Sequence, residues 1–102
     1  MNLKNYRKMT KAEIVKQISE KTGISSVDVL RVVEAFMTTT KENMSKGENI
    51  YLRGFGTFAV TKRAKKVARN ISKNTTIVIP AHFVPTFKPA NTFKDKVKSN
   101  VK

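Results

Sequence analysis

The stretch Ile50-Tyr51-Leu52-Arg53-Gly54-Phe55-Gly56-Thr57-Phe58-Ala59-Val60 divides the chain, because here the spacing of apolar residues changes from helical to strand-like. Ile50 and Leu52 alternate with Tyr51 and Arg53, a Gly54-Phe55-Gly56 turn follows, and Phe58 and Val60 resume the period of two. A short hairpin is expected, with a helical half before it and a strand-rich half after it.

Working back from Ile50, apolar residues recur three and four apart at Ile14, Ile18, Val29, Leu30, Val33, Phe36, Met37 and Met44. This spacing predicts two helices within residues 10–46, broken at Thr22-Gly23-Ile24. Thr10 and Glu13 have the spacing of a capping box, Gly23 suits a helix C-cap, and Ser25 or Ser26 can cap the second helix. That second helix carries more apolar surface than one face needs, with Val27, Val32 and Ala35 beside the main stripe, so a partner helix is expected.

Working forward, Thr61 to Asn74 is mostly polar with strand-like alternation, and Thr75 to Ile79 is a β-branched run that reads as the returning strand. A long two-stranded arm results, and an isolated hairpin of this kind is only marginally stable in water, so the arm is expected to be mobile until bound. Pro80 and Pro85 confine the returning chain to an edge or introduce bulges. Beyond Pro89, Asn91 is expected to cap a short last helix containing Phe93 and Val97, with Asp95 in its first turn.

Charge is distributed unevenly over this plan. The 102 residues hold 21 Lys and Arg against 7 Asp and Glu, a net charge of +14 that points to a polyanionic partner. No Asp or Glu occurs between Asn49 and Lys94, where Arg53, Lys62, Arg63, Lys65, Lys66, Arg69, Lys73, Lys88 and Lys94 all fall. A regular arm strand would put Arg63, Lys65, Val67, Arg69 and Ile71 on one side and Lys62, Lys66 and Asn70 on the other. Such a ribbon fits a DNA groove, its cations suit phosphates and the electronegative minor groove, and an apolar tip can wedge between base pairs. Lysines on an ordinary solvated edge would account for some of these charges, but not for so long a stretch without acids.

Gly54-Phe55-Gly56-Thr57-Phe58, then Arg63, Arg69-Asn70 and Pro85-Thr86-Phe87-Lys88, resemble the signature of the HU and integration host factor family over roughly Met9 to Lys98. The resemblance implies an α+β fold in which a helical base and a short sheet extend into a two-stranded DNA-binding arm, with a short C-terminal helix, as an intertwined dimer. It further implies that Phe55 and Phe58, with Phe36 of the second helix, lie in the dimer core. Arg63, Lys65 and Arg69 would track the minor groove and Lys88 and Lys94 would touch phosphates, with Arg53, Lys62, Lys66, Asn70 and Lys73 as further DNA contacts. Family members insert an apolar residue between base pairs. Here Ile71 stands where proline is usual; isoleucine is also able to wedge but lacks proline's rigidity. Asn74 replaces the usual turn glycine but tolerates positive φ, and Ala90 and Asn91 stand where a glycine and a basic residue are common.

The function expected is architectural: bending and compacting double-stranded DNA with little sequence specificity, by a homodimer or a heterodimer with a related chain, in the cytoplasm at the nucleoid. An enzyme is the poorest reading, since there is no cysteine, His82 is the single histidine, and no phosphate-loop or metal-ligand spacing appears. No cofactor, metal or small-molecule substrate is therefore expected. An RNA-binding protein would fit the charge, but no RNP-type aromatic motif is visible. A membrane-surface protein would need a basic amphipathic helix with large aromatic anchors, and no apolar run approaches a membrane span. Residues 1–9 read as a disordered basic extension without a secretory signal, and Lys4, Arg7 and Lys8 there could add phosphate contacts. Residues 10–102 read as one domain, with the helical base at 10–46, the sheet and arm at 49–87 and the last helix at 91–101. At 39% apolar residues, a chain this short is expected to borrow burial from a second copy.

Overall fold

The computed structural model describes residues 8–70 and 72–101, with Asn70 described through its backbone alone. Ile71 and the extension residues Lys4 and Arg7 lie outside the described residues. Two compact units are distinguished, one ending at Glu42 and the other spanning Asn43–Val101. Helices α1 (Lys11–Thr22) and α2 (Ser26–Ser45) open the chain. Thr10 is the N-cap of α1 and accepts the Glu13 N–H at 3.3 Å. Gly23 closes the helix at φ 75°, where its N–H bonds the Ser19 carbonyl at 2.9 Å. Of the two serines that could cap α2, Ser25 does so, its hydroxyl accepting the Asp28 N–H at 3.3 Å. An ion pair between Lys11 and Glu34 joins the two helices, and Val15 and Val29 are buried.

The second unit is built on β1 (Ile50–Leu52), β2 (Gly56–Arg63), β3 (Lys66–Asn70), β4 (Thr75–Ile79), β5 (His82–Pro89) and α3 (Asn91–Asn100). Antiparallel β1, β2 and β5 form one sheet in that order, with Phe58 opposite both Ile50 and Phe87. Proline is tolerated in β5 because β5 is an edge strand and Pro85 sits at the right register. The N–H of its partner Val60 bonds the Asn49 side chain at 2.9 Å, on the β1 side of β2. Val60 and Pro85 therefore form a pair without mutual hydrogen bonds, and the proline nitrogen faces the open edge, where a missing donor costs nothing. Phe58 and Phe87 have the same parity, which brings their side chains close.

The expected continuous arm is two ladders. The β2–β5 ladder ends at Arg63 opposite His82, and a separate two-stranded sheet begins at Lys66 opposite Ile79. Two residues per strand intervene, so the strands stay in step while Ala64, Lys65, Pro80 and Ala81 leave the pairing. Pro80 cannot donate to a ladder, and this is where the ribbon breaks. The side alternation from Lys62 to Asn70 is thus that of two strands, not of one regular strand.

The last helix also differs from expectation at its start. Ala90, extended at φ −66° and ψ 155°, is the N-cap and makes no side-chain cap bond, and Asn91 is the first helical residue. The cause is the Ala90 N–H, which is held by the Phe55 carbonyl at 2.9 Å and so fixes the entry into α3 one residue early. Asp95 accordingly falls beyond the first turn.

At Gly56 β2 leaves no room for a side chain against β5. A Cβ built there would lie 2.6 Å from the Lys88 carbonyl oxygen and 2.7 Å from the Phe87 ring. Gly56→Ala is therefore expected to destabilise the protein by about 1–3 kcal/mol through overpacking, read as a lowered midpoint in denaturant unfolding with unchanged helical content at low denaturant.

Candidate nucleic-acid interface

The basic residues singled out from Arg53 to Lys94 sit on exposed positions of the second unit, and the fold gathers most of them into groups. Arg53 follows β1 and Lys88 lies in β5, opposite Thr57 of β2. Together with Tyr51 and Asn91 they line an open concavity of about 540 Å³. Tyr51 shares the sheet face of Thr57 and Lys88, since it pairs with Thr57, and it is 77% exposed.

A second group forms where the two sheets meet. Arg63, Lys65 and Lys66 line a concavity of about 550 Å³ with Ala64, Ile79 and His82. The sequence distinguished His82 only as the single histidine, and the β2–β5 register is what sets it opposite Arg63. Lys62 is the cross-strand partner of Phe83 and takes the other face of the sheet.

The β3–β4 ribbon carries Lys66 and Arg69. Val67 pairs with Val78 and Arg69 with Thr76 on one face, while Ala68 pairs with Ile77 and Lys66 with Ile79 on the other. The turn holds Lys73, and at its end Asn74 adopts φ 51°, a left-handed conformation that asparagine tolerates better than most residues. The Asn74 side-chain oxygen accepts a hydrogen bond from the Arg69 guanidinium at 2.8 Å, so the residue that shapes the turn also orients the arm's arginine. Lys94 lies exposed on α3, apart from both concavities.

Beneath these charges Phe55, Phe58, Phe87 and Phe93 form one aromatic cluster. Centroid separations are 4.9 Å for Phe58–Phe87, 5.1 Å for Phe55–Phe87 and 5.4 Å for the stacked Phe55–Phe93 pair. The sequence reading named Phe55 and Phe58 but not Phe87 and Phe93 as core residues; the β2–β5 register that brings Phe87 opposite Phe58 was the missing signal. Phe36 belongs to the helical unit, where it remains 46% exposed.

Comparison with known proteins gives a uniform result. The family described as bacterial DNA-binding protein matches residues 9–98. DNA-binding protein HU of Thermus thermophilus is 39% identical over 90 residues, covering 88% of this chain and 93% of that protein. The SPbeta prophage-derived DNA-binding protein HU 2 of Bacillus subtilis is 40% identical over 91 residues, covering 89% and 99%. Among solved structures, the Anabaena HU–DNA cocrystal structure superposes with a TM-score of 0.82 at 34% identity, covering 87% of this chain and 97% of that one. HU from Thermotoga maritima gives 0.63 at 28% identity, covering 87% and 98%.

Asn74→Ala removes both the tolerance of positive φ, worth about 1 kcal/mol, and the Arg69 partner. Amide exchange is expected to quicken at Thr75–Ile79 and to stay unchanged in α1 and α2, as read by hydrogen–deuterium exchange.

Proposed function

The chain belongs to the bacterial DNA-binding protein family that includes HU, and from that premise we propose that it bends and compacts duplex DNA as a dimer with little sequence specificity. The observation that carries this reading is the distribution of charge: the cations of the second unit stand exposed on strands and a ribbon that contribute no carboxylate between Asn49 and Lys94. An uninterrupted positive surface attracts phosphates by releasing counterions from the duplex, which supplies affinity without reading bases.

In this mechanism two β3–β4 ribbons enter the minor groove. Arg63, Lys65, Lys66 and Arg69 follow it, and Asn70 and Lys73 lie near the tip. Arg53, Lys62, Lys88 and Lys94 hold the flanking phosphates. Ile71 acts as the apolar wedge that opens a base step. Selectivity then arises from deformability, so nicked, kinked or A·T-rich duplexes bind better because bending them costs less. No step of this mechanism requires a catalytic group, cofactor or metal.

The dimer is supported by what one chain leaves uncovered. Among the described residues the buried apolar side chains are Val15, Val29 and Ala59, while Phe36 and Phe55 are each 46% exposed and Val32 is 68% exposed. At roughly 25 cal/mol per Å² of apolar surface, this much exposed hydrocarbon favours association with a second copy or a related chain. Phe36, Phe55 and Phe58 belong to that shared core. None of the described helices is long and apolar enough to cross a membrane, which suits a protein working at the nucleoid in the cytoplasm.

Resonance energy transfer between the ends of a short duplex tests the reading. Transfer is expected to rise on binding, and affinity to fall at least about a hundredfold between roughly 50 and 200 mM salt. Binding without a change in transfer would mean a non-bending basic coat, and a preference for duplex RNA would overturn the DNA reading. Ile71→Ala is expected to reduce transfer at saturation while weakening binding less than about fivefold, since phosphate contacts remain.

A further inference from the structure

We infer that the open edge of β4 is a self-association surface, at which Thr75–Ile79 pairs antiparallel with the same segment of a second copy and two β3–β4 ribbons join into one four-stranded sheet. Among the described residues β4 pairs with β3 alone, so alternate residues of Thr75–Ile79 direct their N–H and C=O groups outward. The side chains along that row are Thr75, Thr76, Ile77, Val78 and Ile79, all β-branched and all exposed.

The two edges of the ribbon are not alike. Edge strands that stay unpaired are protected by Lys, by Pro or by a bulge. β3 carries Lys66 and Arg69, whereas no Lys, Arg, Asp or Glu occurs between Lys73 and Lys88, and the β3–β4 register runs without a bulge. Pro80 follows β4 directly and confines further pairing to the five residues of the strand.

Charge selects the occupant. A chain of net charge +14 repels its own copies, so contact between copies requires an edge without cations. With β4 joined to β4, the two β3 strands lie three strand spacings apart, about 14 Å, which exceeds the Debye length of about 8 Å at physiological salt. With β3 joined to β3, Lys66 and Arg69 of both copies would lie on adjacent strands. With β3 joined to β4, the contact would be head-to-tail and would not close. A two-fold axis at Ile77 sets Ile77 opposite itself, Thr76 opposite Val78 and Thr75 opposite Ile79, so each of the five positions meets a β-branched partner. One face of the joined sheet then gathers Ile77 and Ile79 from both copies, and the other gathers Val67 and Val78. A two-stranded ribbon is marginal in water, whereas three or more strands with an apolar face can be stable by themselves. This surface is separate from Phe36, Phe55 and Phe58, which serve the proposed dimer.

The test is made on the full chain without DNA. In sedimentation, the mass is expected to about double between dilute and concentrated solution as closed pairs of ribbons form. Ile77→Lys puts a cation at the axis and is expected to hold the mass at its dilute value throughout. Growth of mass that Ile77→Lys leaves unchanged overturns the inference, as does a mass that never grows. Position is read separately, because the chain has no cysteine and one introduced thiol reports by itself. With oxidised glutathione, Ile77→Cys is expected to form an interchain disulfide about tenfold faster than Val67→Cys, since paired thiols at the axis come within disulfide reach and those on β3 do not. Val67 is itself exposed, so equal rates at the two positions would mean random collision and would overturn the pairing.

Discussion

The ladder between β2 and β5 is the constraint on which the second unit depends. It pairs Gly56–Arg63 with His82–Pro89 without interruption. At one end it sets Phe58 against Phe87, and Phe55 and Phe93 complete the cluster. At the other end it delivers Arg63 and His82 to the edge from which the β3–β4 ribbon departs. Within the ladder, Thr61 and Thr86 share a hydrogen bond at 2.9 Å, and Thr86 also donates to the Ala59 carbonyl at 3.2 Å. Apolar packing at one end and exposed charge at the other are thus joined by one rigid element.

Two features keep this ladder compatible with its sequence. Gly56 has no side chain, so β2 can lie against the Lys88 carbonyl and the Phe87 ring. Pro85 occurs at a position whose nitrogen faces outward, and Asn49 takes the neighbouring Val60 N–H that β1 is too short to reach. The anchoring of Ala90 on the Phe55 carbonyl then carries the chain directly into α3, which places Phe93 on the aromatic cluster. Aromatic contacts of this kind add about 0.5–1.5 kcal/mol per pair beyond simple burial, enough to matter in a chain that buries so little by itself.

Beyond the sheet junction the balance changes. Among the described residues the side chains of both ribbon strands are exposed, Val67 at 64%. Its organisation comes from the β3–β4 register and from the turn, where the Arg69–Asn74 hydrogen bond links strand to loop. A ribbon of this kind is able to adapt to a partner because few interactions must be given up when it moves.

The elements themselves were legible in the sequence. Helical spacing, the caps at Thr10 and Gly23, and a serine cap at Ser25 or Ser26 are local, because each depends on residues within a few positions. So are the alternation through Ile50 to Val60, the β-branched strand Thr75–Ile79 and the acid-free stretch. The sequence by itself determined the α+β class, the order of helices, hairpin and ribbon, and the half of the chain that carries the charge. Only the tertiary structure decided that the arm breaks at Pro80, that Phe87 and Phe93 join the cluster, that Ala90 rather than Asn91 caps α3, and that His82 stands opposite Arg63. The physical reason is that each of these follows from pairing between strands far apart in the chain, and register is set by the sum of many side-chain and backbone contacts, whereas capping and periodicity are written into neighbouring residues.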